Sequence, residues 1–123
     1  MISIDEMQTI LEELAEEIPE PFFRGLNGGI LLLPDRVLNP HAKNNDLYIM
    51  GEYITDPAMG RYIALYYGSF QAVYGTLGVE RLRGELRETL FHEFTHHLES
   101  LAGENGLEVK DREELAEYLR GEK

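Results

Sequence analysis

The chain has 123 residues, contains no cysteine, and carries a net charge of −12 from 23 acidic and 11 basic residues. This length predicts one domain spanning residues 1–123, and the missing cysteines exclude disulfides and thiolate metal sites, so any metal ligand must come from His, Asp or Glu. The acidic balance argues against partners such as nucleic acids and anionic membranes, and it would attract cations.

The N-terminal segment, residues 3–18, predicts an amphipathic helix, because apolar side chains recur there at three- and four-residue spacing. Ser3 and Glu6 have the spacing of a capping box at its start. Pro19 and Pro21 are expected to end the helix.

Three strands are predicted in the middle of the chain. Residues 30–33 form a continuous apolar run between Gly and Pro, which is typical of a strand buried on both faces. Residues 47–55 and 61–67 are rich in β-branched and aromatic side chains and predict two further strands. Residues 34–45 are polar and predict an irregular segment.

Helices are predicted for the last third of the chain. Residues 68–75 predict a short helical turn, residues 79–101 a long helix with an apolar stripe, and residues 112–119 a final helix for which Asp111 is the N-cap. A helix, several strands and then helices indicate an α+β domain with helices packed on a small sheet.

The N-terminus lacks the basic and apolar regions of a signal peptide. No apolar run approaches the length that spans a bilayer. We therefore expect a cytoplasmic protein.

Residues 92–97, with the sequence HEFTHH, contain the pattern H-E-x-x-H. On a helix, His92 and His96 lie about 40° apart in projection and can hold one metal ion together. Imidazole and carboxylate ligands suit zinc, so one Zn²⁺ ion is expected as the cofactor, although these ligand types also fit nickel, cobalt and manganese. Glu93 beside the first histidine is the candidate general base for an attacking water. His97 falls nearer the apolar face and is expected to support the site rather than bind the metal.

A third metal ligand is not obvious from the sequence. A metzincin would place a histidine six residues after His96, where this chain has Ala102. A carboxylate from farther along the chain is therefore expected, and Asp111 can be interpreted either as a ligand or only as a helix N-cap. The carboxylate candidates for the third ligand are Glu99, Glu104, Asp111, Glu113, Glu114 and Glu117.

The HEFTHH motif and four other segments resemble the minimal zincin-like bacterial metallopeptidases over nearly the whole chain. The four segments are residues 27–34 (NGGILLLP), 47–53 (LYIMGEY), 66–70 (YYGSF) and 97–103 (HLESLAG). The resemblance implies a zincin-type fold, in which a small sheet packs against the helix that carries HExxH, and a peptidase activity. It also implies that Asp111 matches the acidic position of the family, which favours Asp111 as the third ligand.

The leading hypothesis is a zinc-dependent peptidase acting on a peptide or protein substrate. The substrate would pair as an added strand along an exposed sheet edge, for which residues 61–67 are the candidate, and Tyr66 or Tyr67 would stabilise the oxyanion. The alternative is a non-catalytic metal-binding or protein-interaction module on a zincin scaffold. In a third hypothesis the histidines serve stability only.

Overall fold

The computed structural model describes residues 1–41 and 47–105. It has an α+β fold, and within these ranges no helix is long and apolar enough to cross a membrane. The elements in chain order are α1 (Ile4–Glu16), a 3₁₀ turn (Glu20–Phe23), β1 (Gly29–Leu33), β2 (Val37–Leu38), β3 (Tyr48–Ile49), β4 (Gly51–Asp56), β5 (Gly60–Tyr66), α2 (Tyr67–Tyr74) and α3 (Val79–Asn105).

The start of α1 confirms the predicted capping box. The Ser3 hydroxyl accepts from the Glu6 N–H at 3.1 Å, and the Glu6 carboxylate accepts from the Ser3 N–H at 2.9 Å. These two bonds satisfy helix donors that would otherwise have no partner. The helix ends at Glu16, two residues before the predicted end, and Pro19 precedes the 3₁₀ turn.

The main sheet has the strand order β1-β5-β4, with β1 parallel and β4 antiparallel to β5. The prediction that residues 61–67 form an exposed edge is therefore wrong, because β5 lies between two partners. Its central residues Ile63, Ala64 and Leu65 are fully buried. The edge next to the candidate site belongs to β4, and no described strand pairs with its outer side.

The single strand predicted over residues 47–55 is two strands in two sheets. β3 pairs with β2 in a small antiparallel sheet, whereas β4 pairs with β5. The chain changes partner at Met50, whose carbonyl accepts from the Tyr66 N–H at 2.9 Å. The segment predicted as irregular supplies β2, where the Val37 N–H donates to the Ser69 hydroxyl at 3.0 Å. Neither the change of strand partner at Met50 nor the formation of β2 has a signal in the local sequence, because both depend on residues far away in the chain.

The long helix α3 lies across the sheet and also contacts α1. The predicted helix over residues 79–101 is confirmed and extends to Asn105. Its apolar stripe is buried in the core as expected from three- and four-residue spacing; the buried members are Leu82, Leu86, Leu90, Phe94, Leu98 and Leu101. Burial of each such side chain is worth about 1.5–3 kcal/mol. The predicted helix over residues 112–119 lies outside the described residues.

Candidate metal and catalytic site

The two histidines of the motif lie on the exposed face of α3, opposite its buried stripe. His92 and His96 are exposed, whereas Phe94 between them is fully buried. The apolar stripe therefore fixes the rotation of the helix about its axis and presents both imidazoles to solvent.

The Nε2 atoms of His92 and His96 are 3.2 Å apart, and the two rings are nearly perpendicular, at 86°. Two nitrogens that each lie about 2.0–2.1 Å from a tetrahedral zinc ion stand about 3.3–3.4 Å apart. The separation of the imidazoles is thus close to the one that a shared zinc ion requires, and it is also that of a hydrogen bond between the two rings. Their donor chemistry and their spacing both fit the ion.

Glu99 approaches the other ring nitrogen of His96. Its Oε1 lies 3.6 Å from Nδ1, so the carboxylate is on the side of the ring away from His92. A carboxylate at that position orients a metal-binding imidazole and raises its basicity. Of the two roles open to Glu99, this geometry favours support of His96 over membership of the ligand set.

Glu93 points toward β4, unlike its histidine neighbours, and is only 7% exposed. The main-chain N–H of Tyr53 lies beside this carboxylate. Burial raises the pKa of Glu93, and the nearby His92 and His96 partly oppose that rise. The result is a carboxylate beside the two imidazoles whose affinity for a proton exceeds that of an exposed glutamate, as a general base requires.

His97 is fully buried and lies between β4 and the segment after the 3₁₀ turn. Its Nε2 is 2.9 Å from the Arg24 carbonyl, and its Nδ1 is 2.9 Å from the Tyr53 hydroxyl. Burial lowers the pKa of His97, which favours the neutral ring. With both nitrogens engaged by protein groups, His97 has the supporting position that its place on the helix predicted.

An open cleft runs on both sides of Glu93, between α3 and the edge strand β4. One part has a volume of about 710 Å³ and is lined by Gly51, Glu52, Tyr53, Glu93, His96, Glu99 and Ser100. The other has a volume of about 460 Å³ and reaches β3; its lining includes Tyr48, Glu85, Glu88, His92 and Glu93. Sequence reasoning did not find the β4 residues, because only the pairing of β4 with β5 brings them to the motif.

The two tyrosines expected near the oxyanion have other partners. The Tyr66 hydroxyl donates to Glu52 at 2.6 Å, and burial raises the pKa of Tyr66 well above its ordinary value. The Tyr67 hydroxyl donates to the carbonyl of Ile2, in the segment that precedes α1. Tyr66 therefore bonds to Glu52, which lines the cleft, and Tyr67 contacts the N-terminal segment instead.

No group of three His, Asp or Glu side chains within the described residues lies close enough together to hold a metal ion. The described part of the chain thus brings together two candidate ligands, His92 and His96. The predicted third ligand Asp111 lies outside the described residues. The same holds for Glu113, Glu114, Glu117 and the side chain of Glu104.

No protein-family model and no curated protein sequence matches the chain. Among solved structures, a conserved hypothetical protein from T. thermophilus is similar, with 37% sequence identity and a TM-score of 0.70. The similarity covers 83% of this chain and 99% of that one.

Proposed function

We propose that this chain, which belongs to the same family as the conserved hypothetical protein of T. thermophilus, is a zinc-dependent peptidase of zincin type. One observation carries the proposal. The Nε2 atoms of His92 and His96 converge to 3.2 Å beside the buried carboxylate of Glu93, at the floor of an open cleft. Two ligands, a base and access from solvent are the parts that metal-assisted hydrolysis needs.

His92 and His96 would hold the zinc ion, and Asp111 is the carboxylate proposed to complete the set of three protein ligands. When bound, zinc supplies a Lewis acid that acidifies water and polarises a carbonyl group. Glu93 accepts the proton of the attacking water and later delivers it to the leaving amine. Its raised pKa favours both transfers, because the proton is held and released closer to neutral pH.

The outer edge of β4 is the proposed docking site for the peptide. The Tyr66 N–H donates to the Met50 carbonyl, so Met50 and Tyr66 form a hydrogen-bonded pair across β4 and β5. In an antiparallel ladder every second residue forms such a pair. Gly51, Tyr53 and Thr55 therefore direct their main-chain N–H and C=O groups away from β5. The position of the Tyr53 N–H beside Glu93 agrees with this alternation. A peptide added along this edge would therefore lie over the motif.

A second candidate function is that of a metal-binding module that docks a protein without cleaving it. The observation that favours it is the absence, in the described ranges, of a third side chain converging with His92 and His96. Both functions require bound metal, and only hydrolysis requires Glu93 to exchange protons.

A peptide-library digest separates the two functions. The protein is loaded with one equivalent of zinc and incubated with peptides of defined sequence, and products are identified by mass spectrometry. We expect cleavage by the wild-type protein and a loss of about 100-fold or more in Glu93→Gln, with zinc retained, because general base catalysis is worth about 10²–10⁴ in rate. Glu80→Gln, an exposed change on the same helix, is the matched control and should cleave like the wild type.

Bound zinc without any cleavage would reject the peptidase and favour the docking module. A wild-type protein that binds no zinc would reject both. Equal cleavage by Glu93→Gln and Glu80→Gln would remove Glu93 from the mechanism.

A further inference from the structure

The buried ring of His97 has a single arrangement of hydrogens that satisfies both of its neighbours. A carbonyl oxygen can only accept, so Nε2 must carry the hydrogen that goes to the Arg24 carbonyl. Nδ1 is then a bare acceptor, and the hydroxyl 2.9 Å away, that of Tyr53, must donate to it. His97 is fully buried, so no water replaces either partner without a rearrangement.

Tyr53 consequently contacts α3 at two points. Its hydroxyl reaches His97, and its main-chain N–H reaches Glu93, one helical turn earlier. A side-chain hydrogen bond to His97 and a main-chain N–H beside Glu93, from one residue to one turn of helix, restrict both the height and the tilt of β4 over α3. We call these two contacts, together with the His97–Arg24 hydrogen bond, the Tyr53–His97 clamp.

The segment that carries Arg24 is shaped to let its carbonyl reach His97. Gly25 has a φ of +82°, which an L side chain rarely adopts, and a Cβ there would lie 3.0 Å from Leu101 and 3.7 Å from the His97 ring. The chain therefore approaches α3 at this point as closely as a glycine allows. The clamp thus joins three parts of the fold: this segment, β4 and α3.

We propose that Tyr53 and His97 are positioning residues for Glu93. They hold the edge strand so that the Tyr53 N–H stays beside the carboxylate and keeps it close to His92 and His96. Neither residue touches the reacting atoms. The catalytic part of this inference rests on the proposed function, in which Glu93 is the base, whereas the clamp itself is a property of the fold.

Three variants test the clamp without replacing Glu93 or a metal-binding histidine. Tyr53→Phe removes the hydroxyl and keeps the ring. His97→Asn can place an amide oxygen near the former Nδ1 and keep the acceptor for Tyr53, whereas His97→Gln can reach the Arg24 carbonyl but loses that acceptor. The two His97 variants are therefore matched controls that differ in the bond to Tyr53.

The first measurement is hydrogen exchange at the main-chain amide of residue 53, by NMR on the full chain with and without one equivalent of zinc. We expect exchange at least about 10-fold faster than wild type in Tyr53→Phe and His97→Gln, because a hydrogen bond to a charged group is lost or loosened. His97→Asn should stay close to wild type. The amide of Leu65, which faces β1 rather than β4, should not change in any variant.

The second measurement is peptide hydrolysis, with a peptide that the wild-type protein cleaves. We expect kcat to fall by about 10- to 100-fold in Tyr53→Phe and His97→Gln, with KM and zinc content unchanged, because a base displaced by a fraction of an ångström loses alignment. Rescue by His97→Asn would support the positioning role, since a residue that only filled space would not distinguish Asn from Gln.

Unchanged exchange at residue 53 in Tyr53→Phe would overturn the proposal. So would exchange that accelerates equally at residue 53 and at Leu65, because the clamp would then be part of general stability. A wild-type protein that binds zinc but cleaves no peptide would refute the proposed function instead, and the exchange rates would still decide whether the clamp exists.

Discussion

Gly51 on β4 packs tightly against both β5 and α3, and its replacement by alanine tests how closely β4 packs at the cleft. A Cβ on this residue would lie 2.7 Å from Leu65 Cδ2, 3.1 Å from the Ala64 carbonyl oxygen and 3.1 Å from Thr89 Cγ2. Carbon atoms in ordinary contact are about 3.5–4.0 Å apart, so the Leu65 contact alone demands a shift of about 0.8 Å or more. Leu65 is fully buried and has little room to move.

Overpacking of this kind costs about 1–3 kcal/mol. In a domain of this size, 1 kcal/mol shifts Tm by about 3–5 °C, so Gly51→Ala should lower Tm by about 3–15 °C. Gly84→Ala is the matched control. Gly84 lies on the exposed face of α3 with no atom within 4 Å of the position that a Cβ would occupy, and alanine should raise stability there by about 0.5–1 kcal/mol.

Thermal unfolding of the metal-free protein, followed by circular dichroism, measures both changes. Replacement of glycine by alanine should thus lower Tm at position 51 and raise it at position 84. A Gly51→Ala protein as stable as the wild type would refute the close packing of Gly51 against β5 and α3. Equal destabilisation by both variants would show that the effect belongs to alanine in general and has no connection with the cleft.

Glu93→Gln should raise the Tm of the metal-free protein at neutral pH. Burial raises the pKa of Glu93, so the stability of the wild type falls as pH rises from the ordinary value of 4.5 through the raised value, and glutamine removes that loss. Thermal unfolding of both proteins at several pH values measures the difference. Thr55→Pro should leave Tm almost unchanged but raise KM for peptides, because the Thr55 N–H faces the free edge of β4. Ile54→Pro should instead unfold the protein, because it removes a hydrogen bond to β5. Similar Tm values for the two variants would contradict the assigned register. Hydrogen bonds from Ser3 lower the pKa of Glu6, so the stability that this carboxylate contributes is present above pH 4.5 and is lost as pH falls through the lowered pKa. Glu6→Gln should therefore weaken the dependence of Tm on pH in that window. An unchanged dependence would contradict the capping box.

The helices of this protein were predictable because their signals are local. Ser3 and Glu6 lie three residues apart, and the apolar stripe of α3 repeats within one or two turns. The same periodicity placed His92 and His96 on the exposed side and His97 toward the core, as the structure has them. Nothing beyond the neighbouring turns was needed for these inferences.

The strands were less predictable, because which strand is central depends on partners far away in sequence. Residues 61–67 have the composition of a strand at any place in a sheet, and only the parallel pairing with β1 makes β5 central. The split at Met50 has the same origin, since β3 and β4 have similar composition and pair with different strands.

The β4 contribution to the candidate site was hidden for the same reason. Tyr53 lies 40 residues before Glu93 in the sequence, and a main-chain N–H is the same in every residue type except proline, so it leaves no sequence signal. A side chain can be suggested by its chemistry, as the histidines were. The contribution of a main-chain donor can be recognised only once the packing of the strand against the helix is known.

The central claim is that His92 and His96 hold one zinc ion, and its most direct test is zinc titration of the purified protein by isothermal calorimetry with parallel metal analysis. We predict one zinc ion per wild-type chain, loss of that binding in His92→Ala and in His96→Ala, and retention in His41→Ala, which removes a histidine that lies outside the motif. A wild-type chain that binds no zinc, or a His92→Ala protein that binds it as tightly as the wild type, would contradict the claim.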